Sequence, residues 1–442
     1  MNLLGFIGVL LGVGILIYLT CFRRMNLLLA SLIGVLVIIA FNSLPVWETI
    51  TATYANGIGG WVEDFLVVFT MGALLGQALQ STGSAQAIGE SLVNKLGIRH
   101  AGLIIHILSL LIVYAGVDFI VACLSIAPIS IAVVRKANLP RRFAIACLLG
   151  GGCSYVFSLP GASTVNNLLP IDLLGTTTLA AWLPGLLGGI VSMALVLLYQ
   201  RYLEKKFRRE NKGFELSDEE VERDFGCRDR SQLPPAWIGC TALLIVILCS
   251  VLLGGTNIVA PKAAISGGLA LAAIFTLALG RKYLREPVQQ VLGTGAADGI
   301  MGAIVMGAVI GFVAVVQNTQ AFLSFANWTS TIQLPPLLSI VFTIQMMNII
   351  LANSPGSMSI LMNSFSPQLL AMGVQPAVLH RVAAMSSVSF AAMMPHNPGS
   401  LVCFQTYKAS YGKSFIDIVF LCIAAPLIGV LATVALIYAG IV

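Results

Sequence analysis

The chain has 442 residues, 58% of them hydrophobic and only 10% charged, and its 24 Lys and Arg exceed its 18 Asp and Glu to give a formal charge of +6. A mean hydropathy of +0.94 excludes a soluble domain of this length. The surplus of basic residues is therefore read as membrane topology, not as nucleic-acid binding.

In chain order, apolar stretches long enough to span a bilayer are expected at about residues 3–22, 26–46, 65–80, 101–134, 143–157, 183–202, 236–254, 263–280, 299–316, 335–352 and 416–440. The first lacks a basic start and a small-residue cleavage site, so it is expected to stay as a helix. Placing the Arg23-Arg24 loop in the cytoplasm and alternating the spans gathers nearly all Lys and Arg on that side, with both termini outside. Only Lys262 and Arg381 break the bias. The single long polar segment, 204–235, carries the acidic run Asp218-Glu219-Glu220 and is expected as a solvated cytoplasmic linker between units 1–203 and 236–442. The nine cysteines occur singly, with no metal-ligand spacing, and read as small apolar fillers; neither a metal nor a cofactor is expected.

The two units resemble each other. Met71-Gly72-Ala73 with Gly76 matches Met306-Gly307-Ala308 with Gly311, Ser125 to Pro128 matches Ser364 to Pro367, and Pro160-Gly161 matches Pro398-Gly399, at offsets of 235, 239 and 238. Across a cytoplasmic linker, an odd number of crossings per unit makes the second copy inverted. The expected fold is thus an all-α polytopic membrane protein of two inverted-topology repeats.

Each repeat ends in a helix-breaking element, Ser158 to Thr164 and Met394 to Ser400. Broken helix inside a bilayer survives only where protein or a water-filled site satisfies the freed backbone. Two helix ends converging there offer N–H groups and positive dipole ends to a carboxylate. The candidate substrate-binding residues are Ser158, Pro160, Gly161, Ser163, Thr164, Asn166 and Asn167 in the first repeat. In the second they are Asn353, Ser354, Gly356, Ser357, His396, Asn397, Gly399 and Ser400. Small polar residues also serve close packing and satisfy broken backbone, the alternative for each of them.

Asp118 is the best candidate for a coupling proton by its depth in an apolar run, and His396 is a second, beside the second break. Glu63 and Asp298 are expected near helix starts, where they complement the dipole. Asp172 is expected to line the pathway or cap, Asp417 to pair with Lys413 at an interface, and His106 to be a packed core histidine. There is no nucleophile elbow, zinc-protease motif or phosphate loop, so no enzyme is expected. The alternative from another class is an anion channel, since re-entrant loops also form filters.

At this point the chain resembles the gluconate:proton symporter (GntP) family of the ion-transporter superfamily. The resemblance rests on Arg23-Arg24-Met25-Asn26, Met71 to Gly76 leading into Ser84-Ala85-Gln86-Ala87-Ile88, Ala137-Asn138-Leu139-Pro140 and Asn397-Pro398-Gly399. It implies re-entrant hairpins, elevator-like motion and a homodimer. It also implies inward symport, across the inner membrane, of a proton with a sugar acid, a hydroxycarboxylate or a related carboxylate or amino acid. Sodium is the alternative coupling ion, because unwound carbonyls can hold it. The chain departs from the family pattern in having Ile120 where a membrane Glu is usual and Asn348 where an Arg is usual. Leu159-Pro160-Gly161-Ala162-Ser163 stands for Pro-Pro-His-Pro-Gly, and no acidic residue flanks Asn397. These departures extend the expected substrates to a smaller, less polar carboxylate.

Overall fold

The computed structural model describes all residues except 1–2, 24, 118, 218–219, 222–229, 255–257, 323, 325–327, 329–333 and 395–396. Its first half carries α1 (Leu3–Ile17), α2 (Leu27–Asn42), α3 (Ala55–Thr82), α4 (Ser84–Leu96), α5 (Ala101–Tyr114), α6 (Phe119–Lys136), α7 (Arg141–Gly152), α8 (Val165–Leu174) and α9 (Trp182–Arg209). The second half carries α10 (Ala236–Leu248), α11 (Pro261–Gly280), α12 (Val288–Gln317), α13 (Pro336–Leu351), α14 (Ser354–Ile360), α15 (Pro376–Val388), α16 (Pro398–Thr406), α17 (Tyr411–Val419) and α18 (Ala425–Tyr438). Among the described residues, seven helices are long and apolar enough to cross a membrane, or eight if the pair bent by 115° at Gly97 is one span.

The repeat is visible in the element order. Helix starts correspond as Leu3 with Ala236, Leu27 with Pro261, Ala55 with Val288, Ala101 with Pro336, Phe119 with Ser354, Arg141 with Pro376, Val165 with Pro398 and Trp182 with Tyr411. Counterparts run antiparallel where they meet. Along α3 and α12, Gly57 faces Gly311, Ile58 faces Gly307, Thr70 faces Gly299 and Leu74 faces Gly295. The final helices do the same, with Thr433 Oγ1 donating to the Pro184 carbonyl (3.1 Å), Ser192 Oγ to Ala425 (3.1 Å) and Tyr199 to Ile416 (3.3 Å). Glycines make this approach possible, since a Cβ on Gly299 would lie 2.5 Å from the Thr70 Cα.

Both expected breaks are present, but the second lies earlier than Met394 to Ser400, since Pro398, Gly399 and Ser400 already belong to α16. The chain leaves helix after Gly152, makes a short turn at Val156–Ser158 and resumes helix at Val165; it leaves again after Val388, turns at Ala391–Met393 and resumes at Pro398. The long apolar run 101–134 is two helices divided at Gly116, whose φ is +94°. A side chain there would meet Ser163, because a Cβ would sit 2.8 Å from the Ser163 Cβ. Gly116 thus lets the first break pack against this second interruption.

Three other expectations are corrected. Glu63 and Asp298 lie well inside α3 and α12 and are exposed, because both helices extend much further toward their N-termini than the apolar runs suggest. Asp417 does not pair with Lys413. It is buried between Arg142 of α7 (3.4 Å) and Lys206 of α9 (3.6 Å), while the Lys413 carbonyl accepts from Arg142 (3.3 Å). The polar segment after α9 is not wholly solvated, because Phe214 N–H donates to Asn138 Oδ1 (3.1 Å) and Glu215 accepts from the Arg141 backbone (3.1 Å). Just beyond α9, Lys212 hydrogen-bonds Glu210 and holds its carboxyl below the usual range.

Candidate functional site

The two breaks flank a cavity of about 100 Å³. Its polar lining comes from Asn166, Asn353, Ser354 and Asn397, and its apolar wall includes Phe69, Phe119, Ile120, Phe157, Met306 and Val388. Among the described residues, no charged side chain lines it. The starts of α8, α14 and α16 all reach the cavity, through Val165 and Asn166, through Ser354 and Pro355, and through Gly399. Such termini carry positive partial charge, up to about half an elementary charge at the start of a long helix and less at the seven-residue α14.

The polar residues divide into those that build the site and those that open onto it. Asn353 caps α14 by accepting from Gly356 N–H (2.6 Å), and Asn397 caps α16 by accepting from Ser400 N–H (2.9 Å). Asn397 also donates to the Ala352 carbonyl (2.8 Å), so one side chain ties the two helix starts together. Asn166 donates to the hydroxyls of Ser354 and Ser387, joining the first repeat to the second. The start of α8 has no side-chain cap, because the Thr164 hydroxyl goes to the Phe157 carbonyl. A recess of about 30 Å³ adjoins the cavity past Phe69, Phe157 and Val165, and is lined by Ser163 and Thr164. Ser163 Oγ is buried there with no hydrogen-bond partner among the described residues.

Of the residues singled out by sequence, Asn166, Asn353, Ser354, Asn397 and Gly399 line the cavity, and Ser163 and Thr164 line the recess. The other described ones lie behind these walls. Tyr114 donates to the Pro160 carbonyl (2.7 Å), Gly161 N–H donates to Thr178 (3.0 Å), and the Gly161 carbonyl accepts from Ser250 (3.1 Å). Ser158 Oγ donates to the Tyr155 carbonyl (3.0 Å), Ser400 Oγ donates to Ala392, and Ser357 is fully buried. Asn167 donates to the Leu159 (2.6 Å) and Ala162 (3.2 Å) carbonyls and accepts from Arg381 (2.9 Å). Asp118 and His396 lie outside the described residues, each next in sequence to a lining residue, Phe119 and Asn397.

Sequence reasoning missed the bracing set. Arg381 of α15 is fully buried and donates to the Thr178 (2.9 Å), Ala180 (2.9 Å) and Ser158 carbonyls of the first repeat. Asn348 braces the second break, donating to the Ser387 (2.9 Å) and Ser389 (2.7 Å) carbonyls. Arg381 carried a signal, as one of the two basic residues off the expected side. Asp172 does not face the central cavity. Its carboxylate pairs with Lys262 (2.6 Å), which also meets Asp64 (3.0 Å), beside a separate cavity of about 460 Å³ that includes Ser359 and Asn363. His106 packs in the core with Nε2 2.8 Å from the Tyr155 hydroxyl.

A family model of GntP permeases matches residues 4–388. The chain belongs to the GntP permease family. This GntP permease is 23% identical to an uncharacterized transporter, YxjC, of Bacillus subtilis (strain 168), over 93% of this chain and 94% of that protein. It is 24% identical to the Gnt-II system L-idonate transporter of Escherichia coli (strain K12) over 67% of each chain. A shorter match, 24% identity over 32% of this chain and 31% of the other, is to the high-affinity gluconate transporter of the same organism. Among solved structures, the YdaH transporter of Alcanivorax borkumensis, described as having an unusual topology, superposes with a TM-score of 0.59 at 16% identity over 89% of both chains. That likeness bears on the fold alone.

Proposed function

We propose that this GntP permease is a secondary active symporter that carries a small organic anion into the cell with a proton, across the cytoplasmic membrane. One observation carries the reading: a cavity between the two broken hairpins receives three helix starts and, among the described residues, no charged side chain. Backbone N–H groups and helix dipoles can hold a carboxylate there without the cost of a buried Lys or Arg. The uncapped start of α8 is the position where a ligand oxygen would complete the hydrogen bonding. The relatives named for L-idonate and gluconate support an acid as cargo.

In this reading the units 1–203 and 236–442 are the repeats, 204–235 links them on the cytoplasmic side, and the hairpins move together with the bound acid. Asp118 and His396 are the coupling groups, being the titratable neighbours of Phe119 and Asn397. The test is uptake of labelled carboxylates into proteoliposomes under imposed proton or sodium gradients. Accumulation should follow the inward proton gradient. Asp118→Asn should abolish gradient-driven accumulation while keeping substrate exchange across the membrane. Accumulation driven by sodium alone, or unaltered proton-driven uptake by Asp118→Asn with His396→Gln, would contradict the coupling assignment.

A further inference from the structure

We infer that the cavity where the polar segment after α9 meets the start of α7 binds a phosphate-bearing anion, at a site separate from the one between the breaks. Its volume is about 870 Å³, and Arg141, Arg142, Lys212, Lys408 and Lys413 line it with one carboxylate, that of Glu215. The inference depends neither on the cargo nor on the coupling ion.

A surplus of basic residues on one side follows from the positive-inside bias, but their convergence on one concavity does not. Three parts of the chain bring them there: 140–142 open α7, 212–215 follow α9, and 408–410 with Lys413 and Ser414 lead into α17. Hydrogen bonds hold these walls together. Arg141 Nη1 donates to the Tyr407 and Lys408 carbonyls (both 3.0 Å), and Phe214 N–H donates to Asn138 Oδ1 (3.1 Å). Carboxylates neutralise only part of the charge. Asp417 lies behind Arg142, Glu210 holds Lys212 and Glu215 meets Arg141, whereas Lys413 has no carboxylate partner among the described residues. A cleft lined this way concentrates anions.

The start of α7 already shows what it accepts. Glu215 Oε2 takes one hydrogen bond from the Arg141 backbone N–H (3.1 Å) and another from Arg141 Nε (3.3 Å), so a carboxylate stands where a helix start and a guanidinium converge. That carboxylate is 46% exposed, and exposed pairs of this kind are weak enough for a stronger anion to displace. Helix α17 opens on the same cavity and, like α7, has no side-chain cap at its start. A phosphate brings more charge than the carboxylate and three acceptor oxygens, for donors that Glu215 alone does not satisfy. A soluble phosphate compound and a phospholipid headgroup share this chemistry.

Titration calorimetry of the full-length protein in detergent with pyrophosphate, beside native mass spectrometry after reconstitution with phosphatidylglycerol or phosphatidylcholine, tests the site and separates the two sources. Pyrophosphate binding supports a soluble ligand. Retention of phosphatidylglycerol over phosphatidylcholine, without pyrophosphate binding, supports a headgroup. In either arm, Lys212→Gln combined with Lys413→Gln, both exposed, should weaken binding at least tenfold. Glu215→Gln should tighten it about fivefold, because it removes the resident carboxylate from the start of α7. A purely structural role for Glu215 would not produce tighter binding. Neither probe binding, binding unmoved by the paired lysine changes, or binding not tightened by Glu215→Gln would overturn the inference.

Discussion

Arg381 and Lys262 are the two basic residues on the wrong side of the expected charge bias, and each has a local cause. Arg381 is fully buried and satisfies three carbonyls and one amide oxygen of the first repeat. Its planar fork matches that fan of acceptors, which a lysine cannot reproduce. Arg381→Lys should therefore destabilise the folded protein by on the order of 3 kcal/mol, seen as a lower unfolding temperature in detergent, with little change in the secondary structure that does form. An unchanged unfolding temperature would show that the carbonyls find other partners. Lys262 is compensated by Asp64 and Asp172, so its charge costs less than an isolated cation would. At this scale the sequence showed which residue types cluster at the breaks. It could not separate lining from bracing, because Asn166 and Asn167, adjacent and identical in chemistry, do different jobs. Only the position of Arg381 decides which of them turns inward to support the break.

Elements were legible wherever the breaker was local. Pro160-Gly161 and Asn397-Pro398-Gly399 announce themselves, the first inside its break and the second at the point where helix resumes after its break. Gly116 did not, because the reason for a break there is Ser163, a partner from a different element. Helix lengths were underestimated at α3 and α12 for a related reason. Their N-terminal turns are rich in Gly, Ala and polar residues and were not counted as span, yet glycine is what lets the two helices meet. Gly299→Ala puts a methyl 2.5 Å from the Thr70 Cα and must push α3 off α12. A destabilisation of about 1–3 kcal/mol is expected, whereas the same change at Gly293, inside the same helix with open space around it, should stabilise by up to about 1 kcal/mol. Thermal unfolding of the two variants side by side checks this, and equal effects would contradict the close packing of the pair.

For the whole molecule, the inverted repeat was readable from three motif matches, and antiparallel contacts of α3 with α12 and α9 with α18 express it in space. What could not be read was how the ends of the hairpins are tethered. Asp172, in the last turns of α8, is held by Lys262 of α11, while the first residues of α8 line the cavity. One short helix thus links the cargo site to an ion pair at its far end. If that pair holds the first hairpin in the observed position, Asp172→Asn should change transport rate more than apparent substrate affinity, and a Lys262→Asp, Asp172→Lys exchange should recover part of the loss. Failure of the exchange to recover any rate, with both single variants folded, would assign the pair a purely local role.

The Arg381 clamp also fixes an order of events during synthesis. Ser158 leaves the ribosome 223 residues before the arginine that satisfies its carbonyl. Until then the carbonyls of Ser158, Thr178 and Ala180 lack the guanidinium that satisfies them in the folded protein. The first repeat gains these bonds only when the second is in place. The duplicated halves are therefore no longer two autonomous modules joined by a linker, but a single folding unit whose first part is completed by its last.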